Sequence, residues 1–408
     1  MTKTCIACKS HSAEEFINYG PVPLGNAFLR TPDVKDEYMP EMRVAVCTEC
    51  NTVQQPTPPD FSFLEKDYRN YKYAPTKSSQ AQVKNLAALG KDIVRYFGLQ
   101  GTDLFLDIGC NDGAMLDAVK EMCRVLGVEP ARDIGQMAKD KGIPVINEFF
   151  NKGIADRIES EYGKVDVATF TQVFQHIPDV NGTLESVVGL LKPEGGLVIE
   201  GRYFTETLRT DAYDTMYPEV ITCATLTSMK KLLEKFGMTV THAEKVNIYG
   251  GSLRVFAKKA NGARPDATVA DILEEEEKIE IQTIKPFETF AKNSFALRDQ
   301  LRLEVDGIKK AGGRIAGYAA PSTGTTLLNF AGLGKELEYV VDDSDLKQGT
   351  YVPGTHQAVV PSETLSKDPV DHILLVAWRM ANDIFPKIER YGVKRVVLPL
   401  PKVETISR

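Results

Sequence analysis

The sequence predicts an α/β protein. A doubly wound parallel sheet carries a small cysteine-bearing unit before it and a second, smaller α/β unit after it. Three observations predict this. Residues Leu104–Asp117 read Leu-Phe-Leu-Asp-Ile-Gly-Cys-Asn-Asp-Gly-Ala-Met-Leu-Asp, which is an apolar strand, a glycine turn and the start of a helix. Strand and helix signals then alternate over about 96–260. The alternation resumes at Arg314 after a mainly helical stretch. The units expected are 1–60, a linker and helix over 61–95, a core over 96–260 and a C-terminal unit over 261–408.

The 408 residues are 43% hydrophobic and 26% charged, enough for two or three domains with real cores. The formal charge of −7 argues against a nucleic-acid surface, which needs clustered Lys and Arg. No apolar run approaches the roughly 20 residues of a membrane span. The start, Met-Thr-Lys-Thr-Cys, has no signal-peptide core, so a cytoplasmic location is expected. Seven cysteines there read as thiols or metal ligands rather than disulfides.

Cys5-x-x-Cys8 and Cys47-x-x-Cys50 offer four thiolates, the donor set of a closed structural zinc site. The competing readings are metal-free turns or a redox pair, which needs only one such motif. His11 is a substitute ligand, but four cysteines already close the shell. Glu14–Tyr38 has to loop out between the pairs, and the zinc need not touch the chemistry. Gln54–Asp60 reads as a linker. The loop Asp67–Ser79 holds Tyr68, Tyr71 and Tyr73, which line a polar ligand or cover a domain junction. An amphipathic helix over 79–97 leads into the central strand.

The turn after that strand is spaced Asp107-x-Gly109-x-Asn111-x-Gly113. This matches neither the dinucleotide nor the triphosphate glycine pattern. Val125–Val128 is a second strand, and Glu129 at its end is placed for ribose hydroxyls or is an ordinary strand-end carboxylate. Pro144–Asn147 precedes Phe149 and Phe150, which face an adenine ring in one reading. Val165–Phe170 runs into Gln172 and His176, and Gly196–Glu200 is the fifth strand. A polar and aromatic loop, Asp211–Thr222, follows on the same face. Val240–Val246 and Leu253–Lys258 close the sheet around Gly250-Gly251. In the helical stretch Ala267–Ala311, Glu274–Glu277 reads as a solvated face and Pro286 as a break or kink. The turn Pro321–Thr326, with a helix from Thr325, either presents N–H groups to a phosphate or is a plain tight turn.

Taken in order, the motifs form a set. They are the cysteine pairs, Tyr-x-Tyr, Asp-Ile-Gly-Cys-Asn-Asp-Gly, Gly-Val-Glu-Pro, Gln-His-Ile-Pro-Asp and Tyr-Asp-x-x-Tyr-x-Glu. Gly-Gly-Ser-Leu-Arg and Gly-Tyr-x-Ala-Pro-x-x-Gly-x-Thr-Leu-Leu-Asn follow. The set resembles the S-adenosylmethionine-dependent sugar C-methyltransferases, over nearly the whole chain. These build branched deoxysugars on nucleotide-linked 4-keto-6-deoxy-hexoses. The resemblance implies a zinc-binding N-terminal domain, a class I methyltransferase core and a Rossmann-like C-terminal domain. It implies cofactor contacts at Asp107, Gly109, Asn111, Gly113 and Glu129, with Phe149, Phe150 and Gln172 as further candidates. It implies a nucleotide-sugar lying among Tyr71, Tyr73, His176 and Tyr217–Glu219, with Tyr249, Arg254, Ser322, Thr323, Gly324 and Thr325 as further substrate-binding candidates. Neither nucleic acid nor membrane is an implied partner. Two positions depart from the family's pattern. Val220 stands where the family commonly has its proton-abstracting histidine, and Tyr249 stands where it often has histidine.

Methylating carbon requires an enolate, hence a base of suitable pKa and donors for the enolate oxygen. His176 suits by its ordinary pKa near neutrality, as base or as an orienting group. Glu219 suits if burial raises its pKa. Tyr217, Tyr71 and Tyr73 are donors to the oxygen or bases. O-methylation stays open as the simpler chemistry. Two readings from different classes stay open beside it: a zinc-ribbon nucleic-acid binder, and a cofactor-binding scaffold without turnover.

Overall fold

The computed structural model describes residues 4–70, 75–78, 80–259 and 262–407. Alternating burial starts the first sheet: β1 (Ala13–Pro21) buries Ala13, Ile17 and Tyr19 on one face. It pairs antiparallel with β2 (Glu41–Cys47), which pairs with β3 (Val53–Gln54). The segment expected to loop out between the cysteine pairs is therefore partly strand. Its remainder crosses to the C-terminal unit, where Leu29 bridges Tyr351 and Glu37 meets His356 Nε2 at 2.8 Å.

The central sheet begins with β4 (Leu104–Ile108), β5 (Arg124–Val128), β6 (Val145–Ile146), β7 (Val165–Thr171) and β8 (Leu191–Arg202). The chain then supplies β9 (Thr222–Cys223) to the first sheet, against β3. It returns as β10 (Met238–Val246) and β11 (Ser252–Lys259). The strand order is β10-β11-β8-β7-β4-β5-β6, and β11 is antiparallel to both its neighbours. All five β4 residues are buried because helices cover both faces. The helix Gln80–Phe97 lays Leu89, Ile93 and Val94 on one face, beside Phe105 and Val167. Val180–Leu190 and Leu226–Glu234 cover the other. Connections leave β4 toward β5 on one side and β7 lies on the other, so the crevice opens at their carboxyl ends.

The C-terminal sheet comprises β12 (Ile315–Tyr318), β13 (Val340–Val341), β14 (Val359–Val360), β15 (His372–Leu375), β16 (Arg395–Leu398) and β17 (Glu404–Ser407). Its order is β14-β13-β12-β15-β16-β17, with only β17 antiparallel. No helix among the described residues is long and apolar enough to cross a membrane.

The break expected at Pro286 is present: the stretch divides into Ala267–Lys278 and Lys285–Lys310, and Pro286 sits in the first turn of the second, where its missing N–H costs nothing. Two expectations need correction. The helix after β12 starts at Ser322, not Thr325. The acidic run is not wholly solvated: Glu276 is fully buried. Its carboxylate accepts from the Leu226 and Thr227 amides at 2.6 and 2.8 Å and from the Thr227 hydroxyl at 2.6 Å. It thus satisfies orphan donors at the start of Leu226–Glu234, where negative charge is favoured. Glu276→Ala is expected to lower stability by about 2–4 kcal/mol, read by urea melts, because it orphans buried donors. An unchanged melt would contradict this.

Candidate functional site

The cofactor end of the crevice is a left-handed turn between β4 and the short helix Ala114–Asp117. Gly109, Asn111 and Gly113 all have positive φ, at 79°, 51° and 73°. A Cβ on Gly109 would come within 2.3 Å of the Val173 side chain. Asp107 is buried and accepts from the Thr169 hydroxyl at 2.7 Å, and burial pushes its carboxyl up to about 7. Glu129 accepts from the Asn111 and Ala131 amides at 3.0 and 2.9 Å, and burial raises its pKa too. Each of its oxygens keeps a second lone pair for a ligand hydroxyl. The Asn111 side chain accepts from Thr76 N–H at 3.0 Å, and Asp112 accepts from Lys77 N–H at 2.9 Å. Residues 76–77 thus roof the turn. Two carboxylates at adjacent strand ends, with a backbone turn between them, fit the ribose and amino-acid parts of S-adenosylmethionine.

The two phenylalanines separate. Phe150 packs against the core, 6.4 Å from the Phe170 ring. Phe149 faces the helix Phe61–Asn70, near Phe61 and Tyr68. Gln172, at φ 58°, donates to Ser252 Oγ at 2.9 Å and Glu200 at 3.3 Å. Tyr71 and Tyr73 lie outside the described residues. Their neighbour Tyr68 stands 6.0 Å, ring to ring, from His176.

The other end of the crevice is walled by the Tyr217–Val220 loop, which three contacts hold. The Gln55 amide reaches the carbonyls of Pro218 and Val220 at 2.9 and 2.7 Å. Glu219 is buried, and its carboxylate accepts from Gly25 N–H at 3.0 Å. The Glu219 carbonyl lies 2.6 Å from His176 Nδ1. A carbonyl only accepts, so Nδ1 carries the proton and Nε2 keeps a free lone pair. Burial, with Arg202 adding to it, pushes the His176 pKa down to about 4. This corrects the expectation of a histidine titrating near neutrality: His176 is uncharged there. Tyr217 is also buried, and burial raises its pKa, disfavouring the phenolate. The Val220 side chain is fully buried in the core.

Sequence reasoning missed Gln55, Gly25 and Arg202. Gln55 fell inside a stretch read as linker, and its only signal was a Gln-Gln pair after an apolar strand. Arg202 ends β8, is 9% exposed, and lies 5.4 Å from the Tyr217 ring centroid. Arg254, expected at the substrate, is engaged elsewhere. It pairs with Glu200 at 2.7 Å and Glu244 at 2.5 Å inside the sheet. Tyr249 is half-exposed, at φ 53°.

The C-terminal helix start touches the same loop system. Thr325 donates to the Gly25 carbonyl at 3.0 Å, and Thr326 to the Met216 carbonyl at 2.8 Å. A Cβ on Gly25 would press on Ser322 at 3.0 Å. Gly324 and Thr325 are buried packing residues, and Ser322 and Thr323 are half-buried at the edge. Asp214 adds a clamp: it accepts from Arg379 at 2.7 and 2.8 Å and from the Trp378 indole at 3.0 Å.

The four cysteine sulfurs converge within 4.8 Å of one another, with Cys5–Cys50 at 3.5 Å and Cys8–Cys47 at 3.6 Å. Tetrahedral zinc with bonds of about 2.3 Å sets sulfurs about 3.8 Å apart, so the cluster fits. Contact between Cys5 and Cys50 lowers the pKa of the Cys50 thiol and raises that of Cys5, so the two share one proton. His11 stays outside the group, 3.1 Å from Thr4.

The comparisons with known proteins follow the same three parts. A zinc binding domain family matches residues 5–62, a methyltransferase domain family 80–243, and a C-methyltransferase C-terminal domain family 247–401. C-methyltransferase NovU of Streptomyces niveus is 30% identical over 413 aligned residues, 99% of this chain and 96% of that one. The chain belongs to the C-methyltransferase family. It is an S-adenosylmethionine-dependent methyltransferase with a zinc-binding N-terminal domain. Ubiquinone biosynthesis O-methyltransferase of Escherichia coli is 28% identical over 116 residues, 27% of this chain and 47% of that one. Among solved structures, a Burkholderia thailandensis 1,6-didemethyltoxoflavin-N1-methyltransferase aligns at TM-score 0.38 and 16% identity, over 52% of this chain and 97% of that one.

The cysteine cluster of this C-methyltransferase lies close in sequence to a residue that holds the Tyr217–Val220 loop, and the central unit grips it. Cys50 lies five residues before Gln55, and Lys235 and Asn181 hold the Cys5–Cys8 knuckle through the Ala7 and Ile6 carbonyls. Emission spectrometry is expected to find one zinc per chain. Chelation is expected to lower turnover more than S-adenosylmethionine affinity. A metal-free preparation with full turnover would contradict this.

Proposed function

We propose that this C-methyltransferase methylates a carbon beside the ketone of a nucleotide-linked 4-keto-6-deoxy-sugar, through an enolate. The observation that carries the reading is His176, neutral, with Nδ1 fixed by the Glu219 carbonyl and Nε2 left as a lone pair. S-adenosylmethionine supplies an electrophilic methyl group when bound. The chain supplies the rest. Asp107, Glu129 and the turn Gly109–Gly113 hold the cofactor at the ends of β4 and β5. His176 takes the proton at Nε2, and Tyr217 and Glu219 wall the sugar. Ser322 and Thr323, half-buried at the start of the C-terminal helix, are assigned to the nucleotide diphosphate in this reading. Positioning the carbon in line with the methyl–sulfur bond contributes much of the rate.

Support comes from two sides. The family is one of carbon methylation, and a carbon beside a ketone is the acidic carbon of such a sugar. A neutral base avoids adding a second positive charge beside Arg202 before the proton moves.

The test uses cofactor carrying a labelled methyl and a panel of nucleotide-linked 4-keto-6-deoxy-hexoses. A labelled carbon branch is expected, and a methoxy product on every substrate would end the enolate reading. The pH profile gives a second readout. The neutral imidazole is the active form, so kcat/KM is expected to stay flat from neutrality downward and fall as pH drops through about 4. A break near 6.5, the ordinary histidine value, would contradict the assignment of this group.

A further inference from the structure

Among the described residues, the crevice holds a buried cation with no carboxylate set against it. Arg202 makes no ion pair there, and its Nε is buried without a hydrogen-bond partner, although the residue is only 9% exposed. Arg254, also deeply buried, is answered by two carboxylates, Glu200 and Glu244. A buried guanidinium left uncompensated is costly, and folds keep such a group where a ligand completes it. Its neighbours are Tyr217, whose ring centroid is 5.4 Å from the guanidinium carbon, and His176, whose ring lies 6.1 Å from that of Tyr217. Half-exposed Tyr249 is close enough to feel its charge. Arg202 also lines a small cavity with Gln175, whose Oε1 is likewise buried without a partner. Water there would serve one N–H but would leave the charge uncompensated.

We propose that Arg202 is a catalytic residue whose guanidinium holds the substrate's ketone oxygen and takes up the negative charge that develops on it. This rests on the enolate reading above. The C–H bond beside the ketone breaks, and its electron pair forms C=C while the C=O π pair moves to oxygen. The proton goes to His176 Nε2. The carbon then attacks the methyl group, the methyl–sulfur pair stays on sulfur, and the ketone re-forms. Arg202 and His176 act as a pair. In the free protein the cation disfavours an imidazolium beside it. Once the oxygen is negative, that opposition is offset and the proton is easier to accept. A diphosphate is a poor occupant, because two bulky, hydrated anionic groups would need an open edge, and Arg202 is nine-tenths buried.

The experiment separates enolate formation from methyl transfer. Wild type, Arg202→Met and Arg202→Lys are mixed in D₂O with S-adenosylhomocysteine and the panel of nucleotide-linked 4-keto-6-deoxy-hexoses. Deuterium entry beside the ketone is followed by NMR, and kcat and KM are measured separately with S-adenosylmethionine. For Arg202→Met, deuterium entry and kcat are expected to fall together by about 10²–10³-fold, the usual loss for one oxyanion donor. S-adenosylmethionine affinity is expected to stay within about threefold. Arg202→Lys keeps a charge without the planar fork; it guards against misfolding of the methionine variant and is expected to lose about tenfold. Wild-type-like exchange in Arg202→Met overturns the assignment, as does a rise in KM with kcat and exchange unchanged. Wild type that exchanges no deuterium on any substrate overturns the enolate reading itself, and this proposal with it.

Discussion

The Tyr217–Val220 loop is the constraint on which the rest of the site depends. It carries no regular secondary structure, yet it is buried, so its carbonyls need partners. Gln55 supplies them from the zinc-binding unit, and His176 supplies one from the central sheet. Gly25, itself gripped by Thr325 of the C-terminal helix, takes the Glu219 carboxylate. One loop therefore joins three units: Gln55 and Gly25 of the first and His176 of the central one hold it directly, and the C-terminal one reaches it through Thr325 on Gly25. The partner choice also sets chemistry: the Glu219 carbonyl fixes the histidine tautomer and so decides which nitrogen can accept a proton.

Burial divides the crevice electrostatically. At the cofactor end it pushes two carboxyls up, with Asp107 near 7, beside a turn whose backbone amides are bonded within the protein. At the reacting end it holds His176 neutral and leaves the Arg202 charge without an ion-pair partner among the described residues. On the proposed reading, a buried cation beside a neutral base suits charge that forms during reaction rather than charge already on a substrate.

Much of this was legible in the residues, for identifiable reasons. The strand–turn–helix at Leu104–Asp117 shows because one strand buried on both faces is a continuous apolar run, and positive φ selects Gly109 and Gly113. The cysteine pairs show because four sulfurs need two tight turns, whatever separates them. What stayed hidden depends on contacts distant in sequence. Gln55 reaches a loop more than 160 residues away, so its own neighbourhood reads as linker. Glu276 sits in a run of acids whose composition says solvent, and only the fold reveals that one member caps a helix. Arg254 and Arg202 are alike in type and are both buried near the same strand ends. Their roles diverge only through whether carboxylates stand opposite. The His176 pKa could not be read at all, because burial is a property of the packed chain.

A crystal structure with S-adenosylhomocysteine and a nucleotide-linked 4-keto-6-deoxy-hexose tests the central claim most directly. The account predicts a sugar ring between His176 and Tyr217, with its ketone oxygen on Arg202 and the Gln55 bonds to the loop intact. A ring seated away from that wall, or a loop released from Gln55 to admit it, would contradict the account.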